Sequence, residues 1–207
     1  WEGHQFFGEW KTTHDPLVHE DLSGPAEASG MPGMGYSEAP AGGLFIRLGV
    51  GVLEKPDDKE FQWAHTYKIV DPGKWTLKQG KDWIEFRHEV KSNFGYGYIY
   101  TKKISLKKKE PGFIISHTLE NTGSKIIDID QYNHNFFRID NEPTGRNFEV
   151  TFPFSCTSGN DTKGIVKLSN NQILFEKDLT EGSVWMELKG YGSDNKDVVA
   201  NLNKRKI

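Results

Sequence analysis

The sequence predicts an all-β protein, a large antiparallel β-sandwich, on three observations. Residues 83–90 alternate, with Trp83, Glu85, Arg87 and Glu89 interleaved with Ile84, Phe86, His88 and Val90, the period of two of a half-buried strand. Strand-like segments recur along the chain with turn chemistry between them, such as Asp71-Pro72-Gly73 and Asn121-Thr122-Gly123-Ser124, which is the pattern of a sandwich or barrel. No window carries a sustained helical stripe, and 22 Gly and 9 Pro with 13% aromatics favour short strands joined by turns.

Taken in order, His4-Gln5-Phe6-Phe7 reads as a short strand and residues 11–43 as a long irregular segment rich in Gly, Pro, His and acidic residues. A loop of that length inside a compact domain is commonly functional. Strands are then expected at 44–53, 61–70, 75–78, 83–90, 97–106, 112–121, 126–137, 148–154, 165–168, 173–175 and 183–188. Residues 97–106 and 112–121 form a hairpin around Lys107-Lys108-Lys109, and Gln79-Gly80-Lys81-Asp82 is a turn.

Length and composition place all 207 residues in a single domain. The chain opens on Trp1 and closes on a polar segment that another strand could follow, so a domain cut at both ends is expected, from either a cytoplasmic or an exported protein. The charge is −3 and the only compact basic run is the hairpin tip at 107–109. No basic stripe, phosphate-cradling loop or apolar run of membrane length occurs, which argues against nucleic-acid, nucleotide and membrane partners. Cys156 is the lone cysteine and excludes an internal disulfide.

Residues 118–137 carry the chemistry: Thr118-Leu119-Glu120-Asn121-Thr122-Gly123, a turn, then Tyr132-Asn133-His134-Asn135-Phe136-Phe137. This segment resembles the central signature of aldose 1-epimerases, in which a strand following a small polar turn delivers Asn-His-x-Tyr/Phe-Phe. The preceding strands match in order, so the resemblance spans roughly residues 3–154. It implies a galactose mutarotase-like supersandwich, whole or cut short in this chain, and a protein of carbohydrate metabolism that acts on or binds a mono- or oligosaccharide. Anomer interconversion needs a base for the anomeric hydroxyl proton and an acid for the ring oxygen, and histidine titrates in the right range for that acid. The resemblance gives His134 the acid role, with Asn133 and Asn135 as hydrogen-bonding neighbours. A structural histidine held by backbone carbonyls is the alternative.

His14-Asp15-Pro16-Leu17-Val18-His19-Glu20-Asp21 resembles more loosely the family loop that carries a sugar-binding histidine in Leu-His-Gly-Gly. By resemblance His19, with His14 and Asp21, would contact substrate, although Glu20-Asp21 stand where the family has Gly-Gly. The same loop has metal-ligand residue types without a recognised ligand spacing, so no metal and no cofactor is assigned. His65, His88 and His117 lie in strand contexts and read as structural. Trp10, Trp63 and Tyr36 have the faces to stack on a sugar, with core packing as the other reading. The family's base is a glutamate in a late strand, and the surroundings of Glu187, Trp185-Met186-Glu187-Leu188, do not resemble it. Three functions therefore stay open: an epimerase-type isomerase, a non-catalytic carbohydrate-binding module, or a sandwich domain associated with a polysaccharide lyase or glycoside hydrolase.

Overall fold

The computed structural model describes residues 24–29, 31–63, 65–110, 112–137, 139–140, 142–159, 161–179, 184–186, 188–189 and 201–204, with 24–26, 132–136 and 201–204 described by backbone alone. Every regular element among them is a β-strand, and every pairing is antiparallel. No helix long and apolar enough to cross a membrane occurs among the described residues. The chain divides into two compact units: Gly24–Phe136, and a second made of Trp1–Ser23 with Phe137–Ile207.

The Gly24–Phe136 unit contains three sheets. Strands β2 (Leu44–Arg47), β3 (Gly51–Glu54) and β4 (Ile69–Asp71) form one, and β5 (Lys74–Gln79), β6 (Trp83–Lys91), β7 (Gly97–Leu106) and β8 (Phe113–Asn121) form a four-stranded meander. Strands β1 (Gly24–Ser29) and β9 (Gln131–Phe136) pair with each other.

The apolar run expected as one strand at 44–53 is instead the β2–β3 hairpin. Its turn runs through Gly49 at φ 75° and Gly51 at φ 123°, a region that favours glycine. A Cβ on Gly51 would also lie 2.3 Å from the Asp71 carbonyl oxygen. Both hairpin faces are buried, which is why the run lacks polar alternation. Ile46 and Val52 pack with Met34, Val90, Tyr96 and Tyr98, whereas Phe45 and Leu53 pack with Tyr36 and Tyr67. The second cluster is aromatic and interlocked: Phe45 meets Tyr36 edge-on at 4.9 Å and Tyr67 at 5.3 Å, and Phe61 stacks on Tyr67 at 5.1 Å. The strand expected at 61–70 survives only as β4, because Phe61 and Tyr67 serve this cluster from irregular backbone. His65, placed in that strand by the sequence, is exposed in a bend with its ring edge-on to Tyr67.

The meander follows the expected alternation. His88 and Val90 are buried on the inner face of β6. His88 is fully enclosed beneath Trp75, stacked at 4.1 Å. One ring nitrogen donates to the Pro72 carbonyl (Nε2–O 2.8 Å), and Nδ1 accepts from the Tyr98 hydroxyl at 2.9 Å. The Tyr98 oxygen in turn accepts from the Gly49 N–H at 3.1 Å. This relay ties the β4–β5 turn, β6, β7 and the β2–β3 turn together with each polar group satisfied, and it is the structural role expected for His88.

Burial pushes the His88 pKa below its ordinary 6.5, partly opposed by the Pro72 bond and the Asp71 charge. A depressed histidine pKa means the unfolded chain binds more protons as pH falls past 6.5, so the contribution is present above that pH and is lost through the folded-state value. Urea midpoints should therefore drop between about pH 7.5 and about pH 5, and His88→Gln should flatten that part of the drop. An equal drop in the variant would remove His88 from the account.

The irregular segment expected at 11–43 contains β1, whose Gly-Pro-Ala-Glu-Ala-Ser sequence lacks strand propensity and is ordered by pairing with β9. Residues expected to begin β9 at 126 are irregular until Gln131.

In the other unit, β10 (Phe148–Thr151) lies between β13 (Gln172–Phe175) and β15 (Asn201–Lys204), with β12 (Val166–Ser169) beyond β13. Strands β11 (Thr157–Ser158) and β14 (Leu188–Lys189) form a separate pair. The β12–β13 hairpin turns at Asn170, φ 52°, a conformation that asparagine tolerates. Arg146 pairs with Asp178 at 2.9 Å and holds that carboxyl below its ordinary range.

Candidate functional site

The alternation of β7 sets Tyr98, Tyr100 and Lys102 on one face of the meander. Antiparallel register then brings His88 opposite Tyr100 and His117 opposite Lys102. Each histidine is consequently diagonal to a tyrosine on the same face, within reach of a long side chain. His88 takes Tyr98 in the core, and His117 takes Tyr100 at the wall of a cleft.

That cleft, of about 530 Å³, is lined by Glu27 of β1, Tyr100, Lys102, His117, and Asp130 and Gln131 at the start of β9, with the β2–β3 turn along its rim. Its size suits a small-molecule site. Glu27 lines it with a side chain 15% exposed. One carboxylate oxygen accepts from Lys102 Nζ at 2.6 Å, and the other is 2.9 Å from His117 Nε2. His117 Nδ1 accepts from the Tyr100 hydroxyl at 2.8 Å, with the rings near parallel at 5.9 Å. Burial first, and then the charge of Glu27, pushes Tyr100 up to about 12, so the phenol remains a donor. The Glu27 carboxylate can only accept, which puts a His117 proton on Nε2 and leaves Nδ1 to accept from Tyr100.

Among the described residues, the chain Tyr100–His117–Glu27–Lys102 leaves specific capacity open. Each Glu27 oxygen keeps a second acceptor position and Lys102 keeps further N–H donors. A hydroxyl, which both donates and accepts, can bind this donor–acceptor pair at once. His117 has both nitrogens engaged, so it positions the carboxylate.

Of the residues assigned from sequence, His14, His19 and Asp21 lie outside the described residues. Asn133, His134 and Asn135 lie in β9, where their partners are Glu27, Ala26 and Pro25 respectively. The register thus brings β9 against the strand that bears Glu27, with Asn133 as the direct partner and His134 one step along. Glu27, Lys102 and Tyr100 were missed by sequence reasoning, and His117 was read as a structural strand residue. A signal for two of them existed: counting back from the turn at 107–112 places His117 opposite Lys102. Glu27 had none, because the β1–β9 pairing joins residues more than a hundred positions apart. Comparison with protein-family models, with curated proteins and with solved structures finds no match for the chain.

Proposed function

We propose that the Glu27–Lys102–His117 cleft binds a saccharide, and that the chain is a carbohydrate-handling protein of the aldose 1-epimerase kind. The observation that carries this reading is the held carboxylate–ammonium pair: Glu27 and Lys102, 2.6 Å apart in a concave, partly desolvated site, positioned by His117 and Tyr100. Sugar hydroxyls need donor and acceptor side by side, and stranding either in a dry site is costly. The aldose 1-epimerase-like signature at residues 118–137 supports the same ligand class, since its strand β9 opens on this cleft through Gln131.

A second reading, turnover, is favoured by Glu27 itself. The ring-opening reaction needs a carboxylate base, and Glu27 is a carboxylate in the lining of the cleft. In that scheme Glu27 takes the proton of the anomeric hydroxyl. His134, the acid that the resemblance implies, is opposite Ala26, one step from Glu27 in register, and successive strand positions alternate in face. The donor to the ring oxygen at this cleft is therefore the adjacent Lys102 ammonium.

Saturation-transfer spectra against aldoses, N-acetylhexosamines and uronic acids test binding, and polarimetry of a freshly dissolved pure anomer tests turnover. Binding with accelerated mutarotation supports the enzyme, and binding with an unchanged rate supports a module without turnover. No saturable binding by any of these sugars would refute both.

A further inference from the structure

The same unit holds a second cavity of about 530 Å³, lined by Met31, Pro32, Tyr36, Lys55, Phe61 and Trp63. Its aromatic wall is unusual in being both rigid and open. Tyr36 is 4% exposed and locked edge-on between Phe45 and Phe61 at 4.9 and 5.3 Å. Its hydroxyl donates to the Lys59 carbonyl at 3.1 Å. Trp63, by contrast, is 74% exposed, and Met31 49%. An indole held in water costs solvation that a core position would avoid, and a large exposed apolar group rimmed by polar ones marks a contact surface.

Lys55 adds a second observation. It is 7% exposed, its Nζ donates to the carbonyls of Ala39 (2.8 Å) and Tyr36 (3.3 Å) and lies 4.7 Å from the Tyr36 ring centre. Among the described residues no carboxylate pairs with this ammonium. Lys55 and Lys59 together balance Asp58 and Glu60 in charge, so the cavity as a whole has no strong preference for a charged ligand.

The linings of the two cavities come close at two points. Ser29 lines the first and Met31 the second, and Cα atoms two residues apart are separated by at most about 7.6 Å. Arg47 lines the first, and its guanidinium lies 5.7 Å from the centre of the Phe61 ring, which lines the second.

We infer that the ligand is an uncharged oligosaccharide that spans both cavities, with one sugar at Glu27 and a following sugar stacked by its apolar ring face on Trp63. The inference rests on the saccharide reading of the cleft and adds to it chain length and a second subsite. A pyranose ring offers C–H groups on one face and hydroxyls around its edge, which matches an aromatic platform with a polar rim.

The test is titration calorimetry with mono-, di-, tri- and tetrasaccharides of glucose, galactose, mannose and N-acetylglucosamine, on wild type, Trp63→Ala and Trp63→Phe. In wild type, affinity should rise by about tenfold from mono- to oligosaccharide, the worth of one good aromatic contact. Trp63→Ala should abolish that rise without changing monosaccharide affinity, and Trp63→Phe should keep part of it. Because Trp63 is exposed, neither variant should unfold. Monosaccharide binding with no gain from chain length, or a gain that survives Trp63→Ala, overturns the second subsite and leaves the first cleft standing. Absence of binding at every length overturns both.

Discussion

Phe45→Ala is expected to destabilise the protein by about 3–5 kcal/mol, the cost of deleting a fully buried aromatic side chain and leaving a cavity. Phe45 is 0% exposed and is the ring that Tyr36, Phe61 and Tyr67 all contact. The surrounding rings meet Phe45 edge-on and are held by contacts among themselves, so they cannot collapse into the space without breaking those contacts. Since typical domain stability is about 5–15 kcal/mol, the alanine variant will be marginal. Phe45→Leu, which retains most of the volume, should lose less and remain measurable. Urea unfolding followed by aromatic circular dichroism checks the pair. A loss below about 1 kcal/mol for alanine would mean that the aromatic cluster contributes little to the fold. The same cluster holds Tyr36 and Phe61 at the wall of the second cavity, so its integrity links core packing to the proposed oligosaccharide subsite.

Glu27→Ala is expected to reduce saccharide affinity by about a hundredfold, because it removes the acceptor and leaves the Lys102 and His117 donors unpaired. Loss of stability should accompany it, on the order of 1–3 kcal/mol for stranded polar groups in a largely buried site. The two effects are separable. The double change Glu27→Gln with Lys102→Met removes both charges while keeping volume, and replacing both partners of a buried pair is far milder than removing one. The double variant should therefore regain most of the stability of wild type while still failing to bind sugar. If it binds normally, the Glu27–Lys102 pair is a structural tie and the ligand site lies elsewhere.

The fold was legible where local sequence decides it. Alternation in 83–90 and the turn at 107–112 gave β6, β7 and β8 close to their observed bounds, since a meander is built from neighbours in sequence. Legibility failed where tertiary packing decides. The hairpin at 44–54 reads as one strand because both its faces are buried, and no polar residue marks the turn between Arg47 and Gly51. Strand β1 reads as loop because Gly24, Pro25 and two alanines carry no strand preference of their own. The site followed the same division. His88 could be read as structural from its place in an alternating strand. Glu27 meets His117 only through a contact ninety residues long, which no local pattern encodes.

Sugar binding at the Glu27–His117–Lys102 cleft is tested most directly on the two tyrosine-paired histidines, which provide an internal control. Long-range proton–nitrogen spectra of the imidazole rings, recorded while an aldose or oligosaccharide is titrated in, report on each ring separately. The His117 nitrogens should shift along the same saturation curve as binding, because a ligand hydroxyl at Glu27 alters the acceptor to which Nε2–H donates. The His88 nitrogens, enclosed beneath Trp75 and bonded to Pro72 and Tyr98, should stay fixed. Saturable binding with His117 unmoved would contradict the account.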